Sequence, residues 1–138
     1  MPTITKVLET ALYVADHARS VEFYTRVLGF TETFHDERLV ALNIADTKQI
    51  LLLFLKGASD QLNPTPGGVI PAHDGNGRFH LAFAIPKEEQ AAWETRLREA
   101  EVPIESVVTA QYGGTSLYFR DPDGHLLELA TPGVWDVY

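Results

Sequence analysis

The sequence contains no cysteine, which excludes a disulfide-stapled scaffold, thiol catalysis and any metal site built on thiolates. It is also short of positive charge, with 11 Lys and Arg against 19 Asp and Glu and a formal net charge of −8. Nucleic acid rewards clustered basic residues, and the few here are scattered without a stripe, so no nucleic-acid partner is expected. No apolar run approaches the ~20 residues of a helical membrane span, and no membrane association is expected. The opening Met1-Pro2-Thr3-Ile4-Thr5-Lys6 has neither the basic nor the apolar region of a secretory signal, which makes a cytoplasmic location the expectation. What remains is 138 residues, 45 % of them hydrophobic, a size suited to one compact domain or two small intimate modules.

The most informative stretch is Arg120-Asp121-Pro122-Asp123-Gly124-His125-Leu126-Leu127-Glu128-Leu129. Proline presets the φ of a turn, and Asp-Gly supplies a turn former and a permissive glycine, so the pattern predicts a β-hairpin. On the returning strand, alternation sends Leu127 and Leu129 to one face and Leu126, Glu128 and Ala130 to the other. A charge in mid-strand is costly to bury unless it is paired or bound to a metal. Glu128 therefore needs a partner.

Comparing the chain with itself offers one. Glu9-Thr-Ala-Leu-Tyr-Val-Ala15 and His80-Leu-Ala-Phe-Ala-Ile-Pro86 are apolar strands opened by one ligand-capable residue, and their starts lie 71 positions apart. Each is followed by an amphipathic helical pattern and then by a strand-rich half, Leu39 to Leu55 in the first and Ser116 to Ala130 in the second. The expected architecture is α+β, two copies of a βαβββ unit. The first module spans 1–58, a linker 59–78, and the second module with a C-terminal tail 79–138, together one domain.

Asp16 is the expected N-cap of a helix from His17 to Leu28, stopped by Gly29. A second helix is expected from Pro86 to about Ala100, with Ala92, Trp93, Leu97 and Ala100 as its packing stripe. Leu8, Leu12 and Val14 line one face of the first strand, and Leu81, Phe83 and Ile85 that of the fifth. The opposite faces hold Glu9, Ala11 and Tyr13, and His80, Ala82 and Ala84. Small alanines beside polar groups leave room for a ligand. The stretch from Lys56 to Arg78 is rich in Gly and Pro without periodicity and reads as a linker skirting that cavity; His73 within it reads as a solvated loop residue.

Two segments carry a family resemblance. Val14-Ala-Asp16, Arg19-Ser20, Phe23-Tyr24 and Leu28-Gly29-Phe30 resemble the first-module signature of the vicinal oxygen chelate superfamily. Gly114-Thr-Ser116-Leu-Tyr118-Phe119, Asp121-Pro-Asp-Gly-His125 and Leu127-Glu-Leu129 resemble its closing signature. The superfamily includes glyoxalase I, bleomycin-resistance proteins, fosfomycin-resistance thiol transferases, methylmalonyl-CoA epimerase and extradiol dioxygenases. The resemblance covers nearly the whole chain. It implies a curved mixed sheet around a cup-like cavity, a homodimer, and a divalent metal held by Glu9, His80 and Glu128. The family's remaining ligand position falls around Leu52 or Leu53, where no ligand exists.

Two carboxylates and one imidazole suit Mn²⁺, Fe²⁺, Ni²⁺ or Zn²⁺, and three protein ligands leave positions open for substrate. The implied function is a metal-dependent enzyme that chelates a small oxygen-bearing substrate, as a lyase, isomerase, transferase or dioxygenase. Tyr13, Tyr112, Tyr118 and Arg120 are the candidates to orient that substrate. Glu9, if it does not coordinate, is a candidate general base. A metal-free protein that sequesters a small molecule, as in bleomycin resistance, is the alternative. A lone strand histidine is more often a hydrogen-bonded core residue than a ligand, and Glu9 can equally be a rim residue.

Overall fold

The computed structural model describes residues 1–138 and divides into two compact units, Met1–Asn76 and Gly77–Tyr138. Unit 1 runs β1 (Glu9–Val14), α1 (His17–Arg26), β2 (Thr31–His35), β3 (Leu39–Asn43) and β4 (Ile50–Leu55), then a short hairpin of β5 (Asn63–Thr65) and β6 (Gly68–Ile70). Unit 2 repeats the order with β7 (His80–Ala84), α2 (Gln90–Glu99), β8 (Ser106–Thr109), β9 (Thr115–Arg120) and β10 (Leu126–Ala130). The sheets are ordered β1-β4-β3-β2 and β7-β10-β9-β8. In each, the first and last strands pair parallel and the rest antiparallel. This is the α+β architecture of two βαβββ modules that the repeat predicts.

Alternation sorts the side chains of unit 1 by face. Leu12, Val14, Val40, Leu42, Leu51 and Leu53 are buried on one face together with Tyr24 and Val27 of the α1 region. Each such burial contributes about 1.5–3 kcal/mol. The Asp16 carboxylate caps α1 by accepting from the Arg19 N–H at 2.9 Å. The helix ends at Arg26 rather than Leu28, and Gly29 follows at φ +75°, where a glycine is favoured. In unit 2, Leu81 and Phe83 share a face with the buried Leu117, Phe119, Leu127 and Leu129.

Three further local expectations change. Leu8 precedes β1 and is exposed rather than part of its apolar face. Pro86 precedes a 3₁₀ turn, Lys87–Glu89, before α2 begins at Gln90. In α2 only Leu97 is fully buried, and Ala92 is exposed. The β5–β6 hairpin, whose Thr65 hydroxyl donates to the Gly68 carbonyl at 2.7 Å, is too short and too rich in Gly and Pro to show a strand period.

Register makes the two units comparable residue by residue. Glu9 pairs with Ile50 and Ala11 with Leu52 in unit 1, whereas His80 pairs with Leu126 and Ala82 with Glu128 in unit 2. Leu52 thus occupies the position of Glu128. By the antiparallel pairs, Ala41 corresponds to Tyr118 and Leu39 to Ser116. One fold carries a polar face in unit 2 and an apolar, hollow one in unit 1.

Candidate functional site

The polar face of unit 2 is built by the β9–β10 hairpin. Asp121 closes its turn: the buried carboxylate accepts from the N–H groups of Asp123 and His125, both at 2.9 Å. His125, also buried, accepts the Phe79 N–H on Nδ1 at 2.8 Å, which ties the turn to the start of β7. Gly124 takes φ +83° within it. That turn sets the register that brings Glu128 opposite Tyr118 and beside β7.

Glu128 is buried, and both its oxygens are engaged. Oε1 accepts from the Ser116 hydroxyl, and Oε2 stands 3.2 Å from His80 Nε2. The other imidazole nitrogen, Nδ1, lies 2.9 Å from the Leu126 carbonyl. A carbonyl oxygen only accepts, so Nδ1 carries the hydrogen, and a neutral ring then presents a lone pair at Nε2. Two acceptor atoms face one another, and either a proton on Nε2 or a cation must stand between them. Two ligands at right angles on one ion, each about 2.1 Å from it, stand about 3 Å apart. The donor set and its outer hydrogen bonds, imidazole to carbonyl and carboxylate to hydroxyl, fit a divalent metal. His80 is half exposed while Glu128 is not, so the imidazole side of the pair is open to approach.

Of the other sequence candidates in unit 2, Tyr118 shares this face, with its ring centroid 6.3 Å from that of His80. Arg120 shares it too, but its guanidinium is held by the Glu105 carboxylate at 3.2 Å and the Gly124 carbonyl at 3.1 Å. Tyr112 lies on the turn before β9 and is largely exposed.

In unit 1, Glu9 opens β1, exposed, at the edge of a cavity of about 540 Å³. Ala11, Ala41, Leu39, Leu52, Phe34, Phe54, Ile70 and His73 also line it. Tyr13 is buried, and its hydroxyl makes a 2.7 Å hydrogen bond with His73 Nδ1. Burial raises the Tyr13 pKa above the usual phenol value, and the Asp74 carboxylate adds to the rise. His73 is not a solvated loop residue. Its ring packs edge-on against Phe54 at 4.5 Å between centroids, its N–H donates to the Ser59 carbonyl, and its own carbonyl accepts from the Ser59 hydroxyl. No sequence period marks His73, because an aperiodic segment positions it. Strand alternation alone puts Ser116 on the face of Tyr118, and only the register brings it to Glu128. No three His, Asp or Glu side chains stand together as a metal-binding group.

The chain is 30% identical over 130 residues to MhqE of Bacillus subtilis (strain 168), named as a proposed ring-cleaving dioxygenase; the match covers 93% of this chain and 39% of that protein. A metallothiol transferase, FosB, of Shouchella clausii (strain KSM-K16) is 48% identical over 54 residues, 38% of this chain and 37% of that one. The chain thus spans about two fifths of these relatives' length. Among solved structures, a lactoylglutathione lyase from Agrobacterium tumefaciens superposes with a TM-score of 0.87 at 30% identity, covering 98% of this chain and 99% of that one. The family described as the Glyoxalase/Bleomycin resistance protein/Dioxygenase superfamily matches residues 6–129. With both βαβββ modules in place and most of its length matched, the chain belongs to that superfamily.

Proposed function

We propose that the protein is a metal-dependent enzyme that binds a small oxygen-bearing substrate on a divalent ion held by His80, Glu128 and Glu9. The observation that carries this reading is the His80–Glu128 pair, an imidazole nitrogen and a carboxylate oxygen 3.2 Å apart with each side chain fixed from behind. A bound ion would act as a Lewis acid toward adjacent substrate oxygens. The chain's own groups do the rest. The Leu126 carbonyl selects the imidazole tautomer, and the Ser116 hydroxyl keeps Glu128 from rotating. Tyr118, beside His80, orients substrate. Tyr13, Tyr112 and Arg120 are further substrate contacts, with Arg120 needing to share the bonds it makes to Glu105 and Gly124. Glu9 completes the ligand set, or acts as general base where it does not coordinate. Family membership supports a lyase, isomerase, transferase or dioxygenase reaction, and the same resemblance supports a homodimer; the cytoplasmic location is proposed from the sequence composition.

The test is metal content with thermal unfolding under added Mn²⁺, Fe²⁺, Ni²⁺ and Zn²⁺. The purified protein is compared with His80→Ala, Glu128→Gln and Glu9→Gln. An ion at one hundred times its Kd stabilises the folded state by about 2.7 kcal/mol. One ion per chain, with the shift lost in His80→Ala and Glu128→Gln, is expected. No ion and no shift with any metal would overturn the enzyme reading in favour of a metal-free sequestering protein.

A further inference from the structure

The unit 1 cavity differs from the polar face of unit 2 at corresponding positions. Where unit 2 has Ser116, Tyr118 and Glu128, unit 1 has Leu39, Ala41 and Leu52. The two alanines, Ala11 and Ala41, withdraw side-chain volume from the centre of the sheet, while Phe34, Phe54 and Ile70 stand around it. A volume of about 540 Å³ lies within the range of small-molecule sites, which are largely apolar with a few placed polar groups.

One such group is placed here. His73 Nδ1 is engaged by the Tyr13 hydroxyl, and Phe54 fixes the ring plane edge-on. Whichever of Tyr13 and His73 donates, Nε2 is the ring nitrogen left to meet a ligand. Charge narrows the ligand further. Glu9 is the one charged side chain lining the cavity, and Asp74, next to His73, is close enough to Tyr13 to act on its hydroxyl. No lysine or arginine lines the cavity, so an anionic ligand meets like charge without compensation.

We propose that the unit 1 cavity binds an uncharged, flat aromatic molecule bearing one hydroxyl or carbonyl oxygen. The ring lies among Phe54, Leu52, Leu39 and Phe34, and its oxygen hydrogen-bonds to His73 Nε2. The two small alanines make room for the ring, and the Tyr13–His73 pair supplies a preorganised handle for its oxygen. Glu9 and Tyr13 also serve the proposed function, so this proposal rests on that reading in taking the cavity as the substrate's place, while the contacts to His73 and Phe54 need no metal.

The experiment uses the full chain in the presence of a chelator, so that it stands whether or not a metal binds elsewhere. Three probes of one shape are titrated by fluorescence: 2-naphthol, naphthalene and 2-naphthoate. The expected order is 2-naphthol tightest, with 2-naphthoate weaker by about tenfold or more. His73→Phe keeps the aromatic contact with Phe54 and removes the handle. It should weaken 2-naphthol by about tenfold, the usual range for one hydrogen bond, and leave naphthalene unchanged. Leu52→Trp fills the cavity and should weaken all three. Absent 2-naphthol binding overturns the proposal. So does 2-naphthoate binding as well as 2-naphthol, or 2-naphthol affinity indifferent to His73→Phe. His73 sits on a partly exposed loop, so that variant carries the test even if Leu52→Trp does not fold.

Discussion

Ser116 and Glu128 stand diagonally across the β9–β10 pair, and the Ser116 hydroxyl donates to the buried carboxylate. The bond leaves Glu128 one free direction, toward His80. Ser116→Ala removes the donor and leaves Oε1 buried without that partner, at a cost of about 1–3 kcal/mol in stability. Loss of an outer hydrogen bond to a metal ligand lowers metal affinity by about ten- to a hundredfold. Competition against a chromogenic chelator and urea unfolding of the same variant measure the two effects. Unchanged metal affinity would remove Ser116 from the proposed site.

The Asp121 turn makes a prediction that needs no metal. Its carboxylate satisfies two backbone N–H groups, one of them belonging to the fully buried His125. Asp121→Ala leaves those donors unpaired inside the protein and is expected to cost about 1–3 kcal/mol. Asp121→Asn retains an acceptor oxygen and is expected to recover most of it. The urea midpoints of the two variants separate a hydrogen-bonding role from a simple packing one. Equal losses would show that the acceptor oxygen is not what holds the turn.

The fold was legible because its determinants are local and repeated. Asp16 and Gly29 bracket α1, Asp121 to Gly124 specify a hairpin turn, and the alternation of Leu127 and Leu129 against Glu128 assigns the faces of β10. The need of Glu128 for a partner follows from the cost of burying a charge, and His80 meets it. The hydroxyl of Ser116 was harder to anticipate, since a serine on a strand face has many uses and only register brings it to Glu128. His73 reads as solvated from sequence because its position depends on bonds to the Ser59 carbonyl and hydroxyl and on the Tyr13 hydroxyl. Those contacts are long-range and leave no period. Leu52 lies between: the ambiguity between Leu52 and Leu53 is settled by the Ala11–Leu52 and Ala82–Glu128 register, which no single strand reveals.

Tyr13 links the unit 1 cavity to pH. Burial, reinforced by the Asp74 carboxylate, raises the pKa of its phenol above the ordinary value of 10.0. A phenol held protonated in the folded state binds its proton more tightly there than in the unfolded chain. Its contribution to stability is therefore complete below pH 10 and is lost as pH rises through the folded value. Tyr13→Phe removes both the hydrogen bond to His73 and this titration. At about pH 7 the variant is expected to be less stable by about 1 kcal/mol, the net worth of one hydrogen bond. Above about pH 10 the wild type loses stability that the variant cannot lose, so the gap between them narrows. Tyr138, whose pKa is also raised by burial and by Glu88, is common to both proteins and cancels in the difference. Asp74→Asn removes one of the two causes, so the alkaline loss should be smaller and complete at lower pH, with its onset unchanged. Urea midpoints across that range make the comparison. A gap constant from neutral to alkaline pH would show that Tyr13 is not held as a phenol by its surroundings, and a Tyr13→Phe variant as stable as wild type at neutral pH would remove the His73 bond from the forces that shape the cavity.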